Sequence, residues 1–253
     1  MIEKQKLIET QKRELLISNE QLSILNTTKD KLFSVLGHDL KAPFNVLLGF
    51  GALLLQKIDI YPPEKIKKNL QYMNDAAHTA FNLLENLLNW ARAQRGIIEV
   101  YAKELNINHL IDNTLKVLNQ QAQTKNITFE VEIIGCDEEV IFVDEVLLGT
   151  ILRNIISNSI KFSNINGRIL LKVIFKDNLI EFSVADQGVG IPNEIKEKLF
   201  KISNVTSKQG TNGEKGTGLG LLVCSEFVSL LKGKIWVESE LNVGTTFYFT
   251  IPV

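Results

Sequence analysis

The chain has 253 residues, 45% of them hydrophobic and 23% charged, with 28 Lys and Arg against 29 Asp and Glu for a formal net charge of −1. That length suggests one large or two ordinary domains, and the composition is globular rather than disordered. The charge balance excludes the basic footprint of a protein built mainly to bind nucleic acid. Two cysteines, Cys136 and Cys224, stand far apart without paired spacing, which excludes a disulfide framework or a cysteine-based zinc site and fits a reducing compartment.

The longest apolar run, Val46 to Leu55, includes two glycines and falls well short of the ~20 residues that a membrane helix needs. The first residues, Met1-Ile2-Glu3-Lys4-Gln5-Lys6, carry charges where a signal peptide would be apolar. The expectation is a cytoplasmic chain, or the cytosolic part of a longer membrane-anchored one.

From Glu3 to Gln56 helix formers dominate. Ile8, Leu15 and Leu22 recur every seven residues, but two of the positions that should complete the seam, Gln11 and Ser18, are polar and only Leu25 is apolar. Residues 1–30 therefore read as a helical or marginally coiled-coil linker. Asp59 to Pro63 is a break, and Pro63 followed by Glu64 is a helix start. The next helix is expected to run to about Gln94, with Leu70, Met73, Ala77, Phe81, Leu84, Leu87, Leu88 and Ala91 on one apolar face and Gly96 as its C-cap. Two such helices over residues 31–97 make a hairpin whose apolar stripe is half covered, and pairing two hairpins into a dimeric four-helix bundle is the economical solution.

Residues 98–253 change to mixed α and β texture. Helices are expected over Asn108–Thr124, from an Asp144 cap to about Phe162, and over Gly218–Leu231. Strands are expected at Ile127–Ile133, Val140–Val143, Arg168–Phe175, Leu179–Ala185, Lys234–Ser239 and Thr245–Ile251. Together they predict an α/β sandwich, so the whole is an α+β two-domain protein.

Three stretches of this second domain carry chemistry. On the Asp144–Phe162 helix, Asn154, Asn158 and Lys161 fall at i, i+4 and i+7 in one row beside a strongly apolar surface. Amide oxygens suit Mg²⁺ and an ammonium suits phosphate, while a solvated polar stripe is the plainer reading. Asp186-Gln187-Gly188-Val189-Gly190 follows a strand directly. There Asp186 could accept a hydrogen bond from a base or hydroxyl, although strand-to-turn Asp-x-Gly is also an ordinary turn and lacks the third glycine of a Rossmann fingerprint. Gly216-Thr217-Gly218-Leu219-Gly220-Leu221 opens a helix whose N–H groups suit a phosphate, without the Lys-Ser/Thr of a Walker A loop. Lys201 to Lys215, polar and glycine-containing, reads as a loop that could cover a ligand.

Asn154 to Lys161, Asp186 to Gly190, Phe200 and Gly216 to Gly220 stand in the order of the N, G1, F and G2 boxes, and Gly244-Thr245-Thr246-Phe247 closes the chain. Together these resemble the ATP-binding domain of two-component sensor histidine kinases, of the GHKL (Bergerat) type. The resemblance implies that Asn158 is the main Mg²⁺ ligand with Asn154 beside it. It implies further that Lys161 contacts phosphate, that Asp186 takes the adenine amino group, and that Gly188, Gly190, Thr217, Gly218, Leu219 and Gly220 shape the ATP pocket and its lid. The family's second aromatic, three positions after Phe200, is replaced by Ser203.

The first helix contains Phe33-Ser34-Val35-Leu36-Gly37-His38-Asp39-Leu40-Lys41-Ala42-Pro43-Phe44. It resembles the H box of the same kinases, which implies autophosphorylation of His38, with Asp39 as its base, and transfer to an aspartate of a response-regulator receiver domain. The partners so implied are a second copy of the chain and that regulator, with an upstream sensor domain outside this chain. Pro43 removes a backbone N–H and crowds the carbonyl of Asp39, so a kink is expected there. Position 42, often Thr or Asn in relatives that also dephosphorylate their partner, is Ala42, which predicts weak phosphatase activity. A rival of another class is a nucleotide-responsive dimeric scaffold that phosphorylates nothing.

Overall fold

The computed structural model describes residues 11–13, 15, 16, 19, 37, 39–135, 140–196, 198–200, 209–214, 216 and 218–252. Of the linker's heptad positions only Gln11 and Leu15 fall among them, both helical and exposed; Ile8, Ser18, Leu22 and Leu25 lie outside, as do Cys136 and Ser203. The chain divides into two compact units between Ala80 and Phe81.

In the first unit, helix α1 covers residues 39–57, and helix α2, Pro63–Gln94, begins there and continues into the second. Pro63 occupies the first helical position, where its missing N–H costs nothing, and Glu64 supplies the acid of the first turn. Phe50 packs against Tyr72 with ring centroids 5.3 Å apart, so α1 and α2 fold back on each other about Tyr61. The far end of α2 closes as a Schellman motif: Gly96, at φ 61°, donates to Ala93 O, and Ile97 donates to Arg92 O.

Most of the apolar stripe predicted for α2 faces outward, with Met73, Leu87 and Ala91 half-buried. Leu70, Phe81, Leu84 and Leu88 are 52%, 58%, 45% and 44% exposed, while Asn69, Ala76, Ala80, Leu83, Trp90 and Ala93 are the buried residues. The helix thus carries two apolar stripes, and a single hydrophobic period cannot say which of them is covered within the chain.

After the end of α2, the second unit continues with strand β1, Lys103–Asn106, and helix α3, Ile107–Thr124. Asn106 caps α3 by accepting from His109 N at 3.0 Å. Strands β2, Thr128–Ile134, and β3, Val140–Val143, precede helix α4, Glu145–Phe162. Asp144 caps α4 by accepting from the N–H groups of Val146 and Leu147, as its sequence position predicts. Then come β4, Arg168–Lys176; β5, Leu179–Asp186; a single turn α5, Asn193–Lys196; α6, Gly220–Leu230; β6, Ile235–Glu240; and β7, Gly244–Pro252.

Five strands form one sheet in the order β2-β4-β5-β7-β6, antiparallel except for β2 with β4, while β1 and β3 pair separately. Alternation along the strands aims Ile169, Leu171 and Val173, Ile180, Phe182 and Val184, and Phe247, Phe249 and Ile251 into the core. Phe182 and Phe249 stack at 4.6 Å and are both 0% exposed. Against this face lies α4, with Leu148, Ile151, Leu152, Ile155 and Ile156 fully buried, and α3 and α6 flank it. Nearly every expected element is present within one or two residues; β1 and α5 were not anticipated.

Candidate active site

Helix α4 organises the site, because its apolar side is fixed in the core and its register then fixes where Asn154, Asn158 and Lys161 stand, each half-buried. Asn154 Nδ2 donates to Thr150 O at 2.9 Å, which orients the amide. Its Oδ1 lies where a Cβ on Gly220 would stand only 2.6 Å away. A side chain at the first residue of α6 would therefore push the Asn154 amide aside. Gly218, at φ 69°, and the buried Leu219 lead into that turn. Farther along, Cys224 Sγ approaches Ile151 O at 3.7 Å and ties α6 to α4.

The second wall is the end of β5. Asp186 is 7% exposed, and its Oδ1 accepts from Gly188 N at 3.0 Å and from Thr245 N at 3.2 Å. Burial pushes its carboxyl up to about 6, because desolvation outweighs the two backbone donors. Both backbone bonds fall on Oδ1, so the second oxygen is not tied to the main chain. Past Asp186 the chain runs onto the C-terminal end of α4, where Gly188 pairs with Ser163 and Val189 N donates to Phe162 O at 3.2 Å. Gly190, at φ 69°, passes so close to the carbonyl of Glu240 that no Cβ would fit.

Lys161 closes the third side. Its ammonium lies 4.6 Å from the centre of the Phe162 ring, and burial lowers its pKa. Phe200 is half-buried in the turn that follows α5. Asp39 stands half-buried on α1, in the other compact unit. His38 and Thr217 lie outside the described residues. The structure therefore brings Asp186, Gly188 and Gly220 to the helix that carries Asn154, Asn158 and Lys161, from two distant stretches of chain, while Gly190 lies against Glu240. Thr245 adds a backbone donor that the sequence motif hinted at without assigning.

The donor set decides what metal could be accommodated. Among the described residues no group of three or more His, Cys, Asp or Glu is gathered to hold an ion. Asn154 and Asn158 offer neutral amide oxygens, which fit a hard cation that brings phosphate oxygens and water as its remaining ligands.

A buried carboxylate at a strand end, an amide-bearing helix and a glycine turn at the start of another helix thus meet in one place. Residues 143–253 match the family model described as histidine kinase-, DNA gyrase B- and HSP90-like ATPase. Residues 28–96 match the His Kinase A (phospho-acceptor) domain, which places His38 within a matched segment. The chain belongs to the histidine kinases.

Among its relatives, the adaptive-response sensory kinase SasA of Prochlorococcus marinus is 29% identical over 258 residues, covering 99% of this chain and 66% of that protein. Hybrid signal transduction histidine kinase B of Dictyostelium discoideum is 27% identical, covering 90% of this chain and 12% of that protein. The chain thus spans less than two thirds of the length of these relatives. The catalytic domain of histidine kinase ThkA superposes with a TM-score of 0.53 at 31% identity, over 60% of this chain and 97% of that one. Histidine kinase ThkA in complex with response regulator protein TrrA superposes with a TM-score of 0.64 at 25% identity, over 92% of this chain and 63% of that one. Among the described residues no helix is long and apolar enough to cross a membrane.

Proposed function

We propose that this chain is the catalytic core of a sensor histidine kinase, with residues 1–30 as a signalling linker, 31–97 as a dimerisation and phosphotransfer hairpin and 98–253 as the ATP-binding domain. One observation carries the reading: three separated motifs converge on α4, around a buried carboxylate that two backbone N–H groups orient. In this reading Asp186 accepts from the adenine amino group, Lys161 contacts phosphate, and Phe200 and the Gly216–Gly220 turn, Thr217 and Leu219 included, border the nucleotide. Asn158, with Asn154 beside it, would hold Mg²⁺, which would supply charge neutralisation on the phosphates.

His38 is the nucleophile. One nitrogen of its neutral imidazole attacks the γ-phosphorus; a P–N bond forms, the bond to the β–γ bridging oxygen breaks, and ADP leaves with the electron pair. Asp39, as the base, accepts a hydrogen bond from the N–H of the other ring nitrogen, holding the tautomer and balancing the positive charge that develops until that proton is lost. The phosphoryl group then passes to an aspartate of a receiver domain, a partner consistent with the complex known for ThkA. The outward stripe of α2 supports assembly as a homodimer, and the chemistry belongs in the cytoplasm, where ATP is available.

The test is labelling of the whole chain with γ-³²P-ATP, comparing wild type with His38→Gln. Wild type should gain acid-labile, alkali-stable phosphate and the variant none. Equal labelling of the two, or none in wild type, overturns the kinase reading in favour of a nucleotide-binding scaffold.

A further inference from the structure

Among the described residues, one buried lysine belongs to no nucleotide motif. Lys125 follows the last turn of α3, yet it is 1% exposed. Its ammonium lies 2.9 Å from Ile160 O, 2.7 Å from Lys161 O and 3.3 Å from Ser163 O, the carbonyls left without helical partners at the C-terminal end of α4. It also lies 2.7 Å from Thr211 Oγ1 and 2.6 Å from Glu214 Oε1. A cation at a helix C-terminus answers the negative end of the dipole, and Glu214 balances the charge that burial would otherwise leave uncompensated.

Thr211 and Glu214 belong to a turn that closes on itself. Gly210 N donates to Glu214 O at 2.8 Å, Gly213 N to Gly210 O at 3.2 Å and Asn212 N to Glu214 Oε2 at 2.8 Å. The turn also rests on α4 directly: Thr211 N donates to Lys161 O at 3.1 Å, and Thr211 Oγ1 donates to Ser163 O at 2.5 Å. Gly210 is pressed so closely on the stem of Lys161 that a Cβ would stand 2.6 Å from Lys161 Cγ. The Lys125–Glu214 pair is therefore the pin between the far end of α3, the last turn of α4 and the turn that packs on Lys161.

We propose that Lys125 is a positioning residue for the nucleotide: with Glu214 and Thr211 it pins the 209–214 turn to the C-terminal end of α4, sets the stance of Lys161 and so tunes affinity for the nucleotide's phosphates. The proposal rests on the reading of Lys161 as a phosphate contact. Burial alone would raise the Glu214 carboxyl; the Lys125 ammonium and the N–H of Asn212 reverse this and hold it below the ordinary glutamate range, as a working ion pair requires.

The experiment is equilibrium binding of MgATP and of adenosine to the full chain carrying Lys125→Gln, Glu214→Gln or Thr211→Val. Glu214 is a third exposed, so its isosteric change keeps the test open where Lys125→Gln fails to fold. The expected result is that Glu214→Gln weakens MgATP by about tenfold, the scale of one charge-assisted contact, while adenosine stays within about twofold. Unchanged MgATP affinity, or equal weakening of both ligands, overturns the proposal, since a merely structural role would not separate phosphate from base. Asp186→Asn serves as the reference: it should lose adenosine as well. Retention of adenosine there would count against the nucleotide site itself, not against the pin.

Discussion

At the residue scale, Asp186 works against the fold that holds it. Its carboxyl titrates near 6 instead of 3.8, so between those values the native state holds a proton that the unfolded chain releases. The contribution of this group favours folding at low pH and is lost as pH rises through 6. At pH 7 the protein keeps a buried carboxylate that its own stability would be better without. Asp186→Asn should therefore fold at least as stably as wild type at pH 7 in urea unfolding, while losing most of its nucleotide affinity. In wild type, calorimetric titration should find ATP binding weakening as pH falls below about 6, because the protonated acid is the poorer acceptor; binding that is flat from pH 5 to 7.5 would remove Asp186 from that role. Such a trade of stability for function is what marks a site residue apart from a core one.

The residue scale is also where the sequence was most and least legible. Asn154, Asp186 and Gly220 were legible only together, as motifs standing in the order of a known family; alone, each reads as a solvated stripe or an ordinary turn. Lys125 announces nothing: a lysine after the last turn of a helix, next to Asn126, reads as a solvated C-terminal charge. Its burial follows from the path of residues 209–214, which no local pattern encodes.

At the element scale, what was readable and what was not divides by where the information lies. The Asp144 cap, the Pro63 start and the Gly96 stop are local chemistry and stand where the sequence puts them. Strand β1 was missed because Lys103-Glu104-Leu105-Asn106 offers one apolar residue, and only its pairing with β3 makes it a strand. The α2 stripe was readable as apolar but not as outward, since burial depends on what lies opposite. The sheet supplies a check on the core. Phe182→Ala would remove one ring of the stacked pair with Phe249 from a site with no solvent access and should cost about 3–5 kcal/mol by chemical denaturation. A loss below about 1 kcal/mol would mean that the core collapses around the gap.

At the scale of the whole molecule, the exposed stripe of α2 asks for a partner. Phe81, Leu84 and Leu88 stand exposed on one face of the helix, and proteins seldom leave such a cluster in water. Covering it with the same stripe of a second copy gives an isologous interface. Phe81→Glu combined with Leu88→Glu should shift the chain from dimer to monomer in sedimentation velocity while ATP still binds the second unit. A double variant that sediments as wild type does would place the dimer contact elsewhere.

Helix α4 has one further consequence, for resistance. Its inner side is the floor of the core, its outer side carries Asn154, Asn158 and Lys161, and its end is held by Lys125. A compound that competed at the proposed nucleotide site would press on residues that the chain is least free to change, since a substitution that spoils its grip would also spoil folding, the proposed nucleotide contacts or the anchoring of a turn. Escape variants selected against such a compound should therefore arise in the segments around the pocket and spare the helix that forms its wall.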